Sequence, residues 1–131
     1  MQRRQYMKCY FQGVVRANEG NRQFNGYVSF IIPELGINFR GQYKGDFEEC
    51  EYASLLALLE FIELNSHLFQ DKRIEIFGNN FNVISQVNSQ ELPSGELEPL
   101  CSLAQNYKKK FPYILNWIPT NENMAQDGLM R

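Results

Sequence analysis

The stretch IEIFGNNFNVISQV, Ile74 to Val87, decides how the rest of the chain is read. It opens as a short apolar strand, meets two asparagines at Asn79 and Asn80, and continues as an amphipathic helix. A strand that feeds directly into a helix belongs to an α/β fold, and the carboxyl end of such a strand is a preferred place for ligands and catalysis. Here that end carries two neutral amides. Asparagine is among the best helix N-cap residues, so Asn79 and Asn80 read first as a cap and its neighbour.

Upstream, YMKCYFQGVVRA from Tyr6 to Ala17 is rich in β-branched and aromatic residues and ends in the turn formers NEGNR. QFNGYVSFIIPE repeats that composition, stops between Pro33 and Gly36, and gives way to INFRGQYKG, which alternates apolar and polar residues. Three strands joined by short turns make an antiparallel meander. The period then changes: Tyr52, Leu55, Leu56, Leu59 and Ile62 recur three and four apart, with Asp46, Glu48 and Glu49 near the positive end of the implied helix.

Downstream of the opening stretch comes a loop carrying Pro93 and Gly95, a helix from Glu96 to about Lys109, and the strand YILNWI, in which Trp117 is expected in the core. Thr120 or Asn121 can then cap a final helix. Strands joined through helices must run parallel, so the expected fold is α/β, a mixed five-stranded sheet with three antiparallel strands followed by parallel ones, flanked by helices.

The 131 residues suit one domain spanning positions 1–131, and with 44% hydrophobic and 21% charged residues the chain has a globular composition. No apolar run is long enough for a membrane span and the N-terminus lacks a signal-peptide core, so a cytoplasmic protein with no membrane association is expected. Cys9, Cys50 and Cys101 show no CxxC pairing and read as reduced thiols. A net charge of −2 excludes coating of nucleic acid by bulk electrostatics. Any such binding must use a local patch, for which Arg3 with Arg4, Lys72 with Arg73, and Lys108 to Lys110 are candidates. The last three also suit a helix C-terminus.

The order of elements and four local motifs together resemble the ribonuclease H family, from about Lys8 to Leu129. YFQGVV resembles the first strand, CEYASLLALLEFI the Glu-x-x-Ala-Leu helix, and FGNNFNVI the strand-Asp-Ser-x-x-Val corner. NWIPTNENMAQDGL resembles the Trp-Val-Pro…Asn…Ala-Asp-x-Leu signature and is the most specific of the four. The resemblance implies hydrolysis of the RNA strand of RNA–DNA hybrids by two magnesium or manganese ions held by four carboxylates. It places Gln12, Glu51, Asn79 and Asp127 at those catalytic positions, with Glu51 and Asp127 as the remaining metal ligands and Asn80 and Asn123 as substrate-binding positions. Four residues apart, Asn123 and Asp127 would project from one face of the final helix.

Gln12 and Asn79 supply no charge. A two-metal site holds its divalent ions roughly 4 Å apart, and such a pair demands anionic ligands; an amide offers an oxygen without the charge. Glu60, nine residues beyond Glu51, points to the opposite side of the helix, whereas Glu48 shares its face if the helix begins early enough. Glu19 falls in the first turn, and the single histidine, His67, reads as a helix-end residue. The expectation is a ribonuclease H-like domain that has lost cleavage and binds a nucleic acid or a protein, without a cofactor. The alternative is a divergent metal-dependent endoribonuclease acting on RNA–DNA hybrids with one metal or with Glu48 recruited.

Overall fold

The computed structural model describes residues 5–17, 24–89 and 91–126. Strand β1 (Gln5–Ala17) pairs antiparallel with β2 (Phe24–Ile32), and β2 with β3 (Ile37–Tyr43). Helix α1 (Phe47–Leu64) leads to β4 (Lys72–Gly78), α2 (Phe81–Ser89) and α3 (Leu97–Lys110) follow, and β5 (Tyr113–Trp117) closes the sheet. β4 runs parallel to β1 and β5 parallel to β4, giving the strand order β3-β2-β1-β4-β5. The mixed five-stranded sheet expected from the sequence is the one observed.

Strand periodicity sets which side becomes the core. Met7, Cys9 and Phe11 alternate inward on β1, Phe30 and Ile32 on β2, Ile74 and Ile76 on β4, and Tyr113 and Leu115 on β5. The register aligns them: Cys9 lies beside Ile76, which lies beside Leu115. Leu55, Leu58, Leu59 and Ile62 of α1, Val83, Ile84 and Val87 of α2, and Cys101 and Ala104 of α3 cover that face in one cluster. All three helices therefore share one core on one side of the sheet. On the opposite side, at the end of the sheet, the segment that follows β5 returns, and Ser29 Oγ donates to the Ala125 carbonyl across 3.0 Å.

The start of α1 is fixed by a reciprocal cap. Asp46 Oδ1 accepts from the Glu49 N–H at 2.9 Å, and Glu49 Oε1 accepts from the Asp46 N–H at 3.2 Å. At the other end both the backbone N–H and the side-chain amide of Asn65 return to the Phe61 carbonyl. Helix α1 thus includes Glu48, the condition the sequence left open for that residue to share a face with Glu51.

Three features differ from the sequence reading or refine it. Trp117 is 47% exposed instead of buried: it shares the phase of the inward-facing Tyr113 and Leu115, but it is the last residue of β5, past the edge of the core, and its Nε1 donates to the Asn79 carbonyl. Thr120 to Glu122 form a short 3-10 turn entered through Pro119, and Thr120 caps no helix by its side chain. The three cysteines are free and buried, and burial pushes Cys9 up to about 12 and Cys50 up to about 11, which makes both unreactive thiols. His67 is exposed in a 3-10 turn after α1. No helix among the described residues is long and apolar enough to cross a membrane.

Candidate functional site

Pairing between β1 and β4 ends at Tyr10 and Phe77, while β1 continues along β2 to Ala17. Beyond that point the edge of β1 has lost its neighbour, and its backbone groups need other partners. Asn123 Nδ2 donates to the Phe11 carbonyl at 2.8 Å, and Ser54 Oγ donates to the Gln12 carbonyl at 2.8 Å. The Gly13 N–H lies close to the Glu51 carboxyl. The splayed ends of β1 and β4, the start of α2, the second turn of α1 and the segment after β5 therefore converge at the carboxyl ends of the parallel strands.

Glycine permits this convergence at two positions. A Cβ on Gly13 would lie 2.5 Å from the Cys50 carbonyl carbon and 2.6 Å from the Glu51 nitrogen, so β1 and α1 touch backbone to backbone there. A Cβ on Gly78 would meet the Phe11 ring at 2.5 Å, so that ring lies directly over the β4 terminus.

Glu51 sits inside this junction with no exposed surface, and neither carboxyl oxygen has a hydrogen-bond partner. Removal from water disfavours the anion and pushes Glu51 up to about 8; the nearby Gly13 N–H draws it down without making a full hydrogen bond to either oxygen. Burial thus favours the protonated form of this carboxyl. Gln12 is also buried, 6% exposed, and its Oε1 is without a partner.

Asn79 is engaged on every side. Its Oδ1 accepts from Asn123 Nδ2 at 2.6 Å, its Nδ2 donates to Thr120 Oγ1 at 3.2 Å, and its carbonyl accepts from Trp117 Nε1 at 3.1 Å. Asn80 caps α2, its Oδ1 accepting from the Val83 N–H at 3.1 Å, as its residue type suggests. Asn82 Nδ2 donates to Glu48 Oε1 at 3.1 Å, so Glu48 faces the first turn of α2.

Asn123 departs from the sequence expectation. Its backbone is extended, its side chain is 3% exposed, and its Oδ1 accepts from the Ala125 N–H at 3.0 Å. It precedes the last turn as a buried linchpin between β1 and Asn79 and does not project from a helix. Asp127, its expected companion, lies outside the described residues, as do Glu19, Arg3 and Arg4. Replacing Asn123 with alanine leaves the buried Phe11 carbonyl and the half-buried Asn79 Oδ1 without this partner. We expect a loss of about 2 kcal/mol in urea unfolding, and an unchanged midpoint would show that the amide bridges little.

Sequence reasoning did not single out Ser54, Ser29, Phe81 or Asn82. Ser54 could have been found from its place one turn beyond Glu51 in EYAS, on the same helix face. Of the basic candidates, Lys72 pairs with Glu34 at 2.5 Å and Lys110 with Glu63 at 2.9 Å, while Lys108 Nζ lies 5.3 Å from the Tyr113 ring centre. Those lysines have local structural partners.

The described residues fit a divalent metal pair poorly. Gln12 brings no charge, the Asn79 oxygen is already an acceptor for Asn123, and burial disfavours the Glu51 anion. No group of three or more His, Cys, Asp or Glu side chains among the described residues could hold a metal ion.

No family model and no curated protein matches the sequence. Solved structures do. LC11-RNase H1, isolated from compost by a metagenomic approach, superposes with a TM-score of 0.77 at 17% identity over 95% of this chain and 91% of its own. The same enzyme in complex with an RNA/DNA hybrid superposes with a TM-score of 0.73 at 16% identity over 92% of this chain and 91% of its own. RNase H1 from the halophilic archaeon Halobacterium salinarum gives 0.68 at 21% identity, covering 95% of this chain and 93% of its own. At these identities the likeness establishes a ribonuclease H-like fold.

Proposed function

We propose that this chain is a ribonuclease H-like domain that binds nucleic acid and does not cleave it. The observation that carries the reading is the Asn79–Asn123 amide pair at 2.6 Å, beside a Glu51 whose burial disfavours the anion. At two of the positions where a hydrolase of this architecture needs negative charge, Gln12 and Asn79 bring none, and Asn79 is tied to Asn123 by its own hydrogen bond. Function resides in such a site and not in the fold, and this site suits retention of a ligand better than cleavage. A neighbour of the same fold was solved on an RNA/DNA hybrid, which supports nucleic acid over a protein as the partner.

The test combines manganese titration calorimetry, a cleavage assay on end-labelled RNA–DNA hybrid, and gel retention of both the hybrid and a single strand. The expected outcome is no micromolar manganese binding, no cut strand, and retention that weakens as salt rises. Micromolar manganese binding together with hybrid cleavage, both lost in Glu51→Gln, would instead establish the metal-dependent endoribonuclease. A folded protein that retains neither nucleic acid would point to a protein partner.

A further inference from the structure

Two large exposed aromatic residues lie near Asn79, one through a hydrogen bond and one two residues on in sequence. Phe81, the first residue of α2, is 66% exposed, and Trp117, the last of β5, is 47% exposed. Isolated exposed apolar side chains are ordinary on protein surfaces. These two are set apart by their place: the Trp117 indole is anchored to the Asn79 carbonyl, Phe81 follows Asn79 by two residues, and both lie at the strand ends where ligands bind in α/β sheets. Phe47, also exposed, adjoins Glu48, whose carboxylate holds Asn82 next to Phe81.

We infer that the edge carrying Phe81 and Trp117 is a stacking site for unpaired bases of a single-stranded nucleic acid. This rests on the nucleic-acid-binding reading above and narrows it. Exposed aromatic faces bind bases by stacking, with little regard to sequence, because every base has a π-face. In a duplex those faces are already covered by neighbouring base pairs and are out of reach.

Charge favours the single strand further. Asp46, Glu48 and Glu49 begin α1, Glu48 reaches α2, and Glu122 lies in the turn whose Thr120 bonds Asn79. An acidic border repels the phosphates of any nucleic acid, so binding at this edge must come from stacked bases, and the stacked bases of a duplex are out of reach. A single strand can turn its bases inward and its phosphates away.

Trp117 is the sole tryptophan in the sequence, so its emission reports this edge alone. The full chain is titrated with single-stranded oligo(U) of about twelve nucleotides and, separately, with an RNA–DNA hybrid of the same length. Oligo(U) should quench Trp117 saturably. Phe81→Ala should weaken its binding about tenfold and Phe81→Tyr should restore it, with the melting temperature unchanged in both because the ring is mostly in water. Oligo(U) that binds without quenching, or that binds Phe81→Ala as tightly as the parent, overturns the inference. So does a hybrid that is retained while oligo(U) is not, an outcome that leaves nucleic-acid binding standing. If neither ligand binds, both readings fall.

Discussion

Replacing Gly13 with alanine is expected to destabilise the protein by about 3 kcal/mol, a large part of the roughly 5 to 15 kcal/mol that holds a domain of this size together. The reason is contact geometry. The added methyl carbon would lie 2.5 Å from the Cys50 carbonyl carbon and 2.6 Å from both the Cys50 carbonyl oxygen and the Glu51 nitrogen. These are backbone atoms in the first turns of α1, so no rotamer change can move them away. Relief requires α1 to lift from β1. That movement would open the core formed by Leu55, Leu58 and Leu59 and pull Ser54 from the Gln12 carbonyl. Urea unfolding of the purified variant gives the measurement. A midpoint within experimental error of the parent would mean that strand and helix yield easily there, and that their close approach does not fix the position of Glu51.

The elements of this fold are legible because strand and helix periods are local properties. The alternation in YMKCYFQGVV, the three-and-four spacing from Tyr52 to Ile62, and the asparagine cap at the start of α2 each follow from near neighbours in sequence, and each is realised. What escapes local reasoning depends on distant partners. Trp117 looks like a core residue by type and by strand phase, yet it ends β5 past the edge of the core, where its indole is anchored on the Asn79 carbonyl. Asn123 fits a helix-face position by spacing, yet the edge of β1 left without its neighbour beyond Tyr10 draws its amide inward to the Phe11 carbonyl.

The two neutral positions illustrate the same limit. That Gln12 and Asn79 lack charge is plain from the sequence. That the Asn79 oxygen is already used by Asn123, while Gln12 Oε1 is left without a partner, depends on residues far apart in sequence. An aspartate at position 79 could accept from Asn123 and Thr120 but could not donate to Thr120 Oγ1 as the asparagine amide does. The amide therefore joins the segment after β5 to the β4 terminus through both of its ends.

Glu51→Gln is expected to raise stability by about 3 kcal/mol at pH 7 and to have little effect near pH 4. The sign follows from where the proton resides. Below the ordinary carboxyl value of 4.5 both the folded and unfolded chains hold it, and burial of a neutral acid carries no electrostatic penalty. Between 4.5 and about 8 the unfolded chain releases the proton and the folded chain keeps it. Unfolding is then favoured by about 1.4 kcal/mol for each pH unit, and the difference levels off above the folded value. Glutamine has no proton to release, so the difference between parent and variant isolates this group from every other titrating side chain. Urea unfolding of both proteins from pH 4 to pH 8.5 measures it. The same proton bears on metal: a ligand that titrates near 8 must first be deprotonated, which weakens divalent-ion binding about tenfold at pH 7. A parent that becomes more stable than Glu51→Gln as pH rises from 5 to 8 would show that Glu51 is ionised in the fold, and the case for a neutral, non-cleaving junction would be lost.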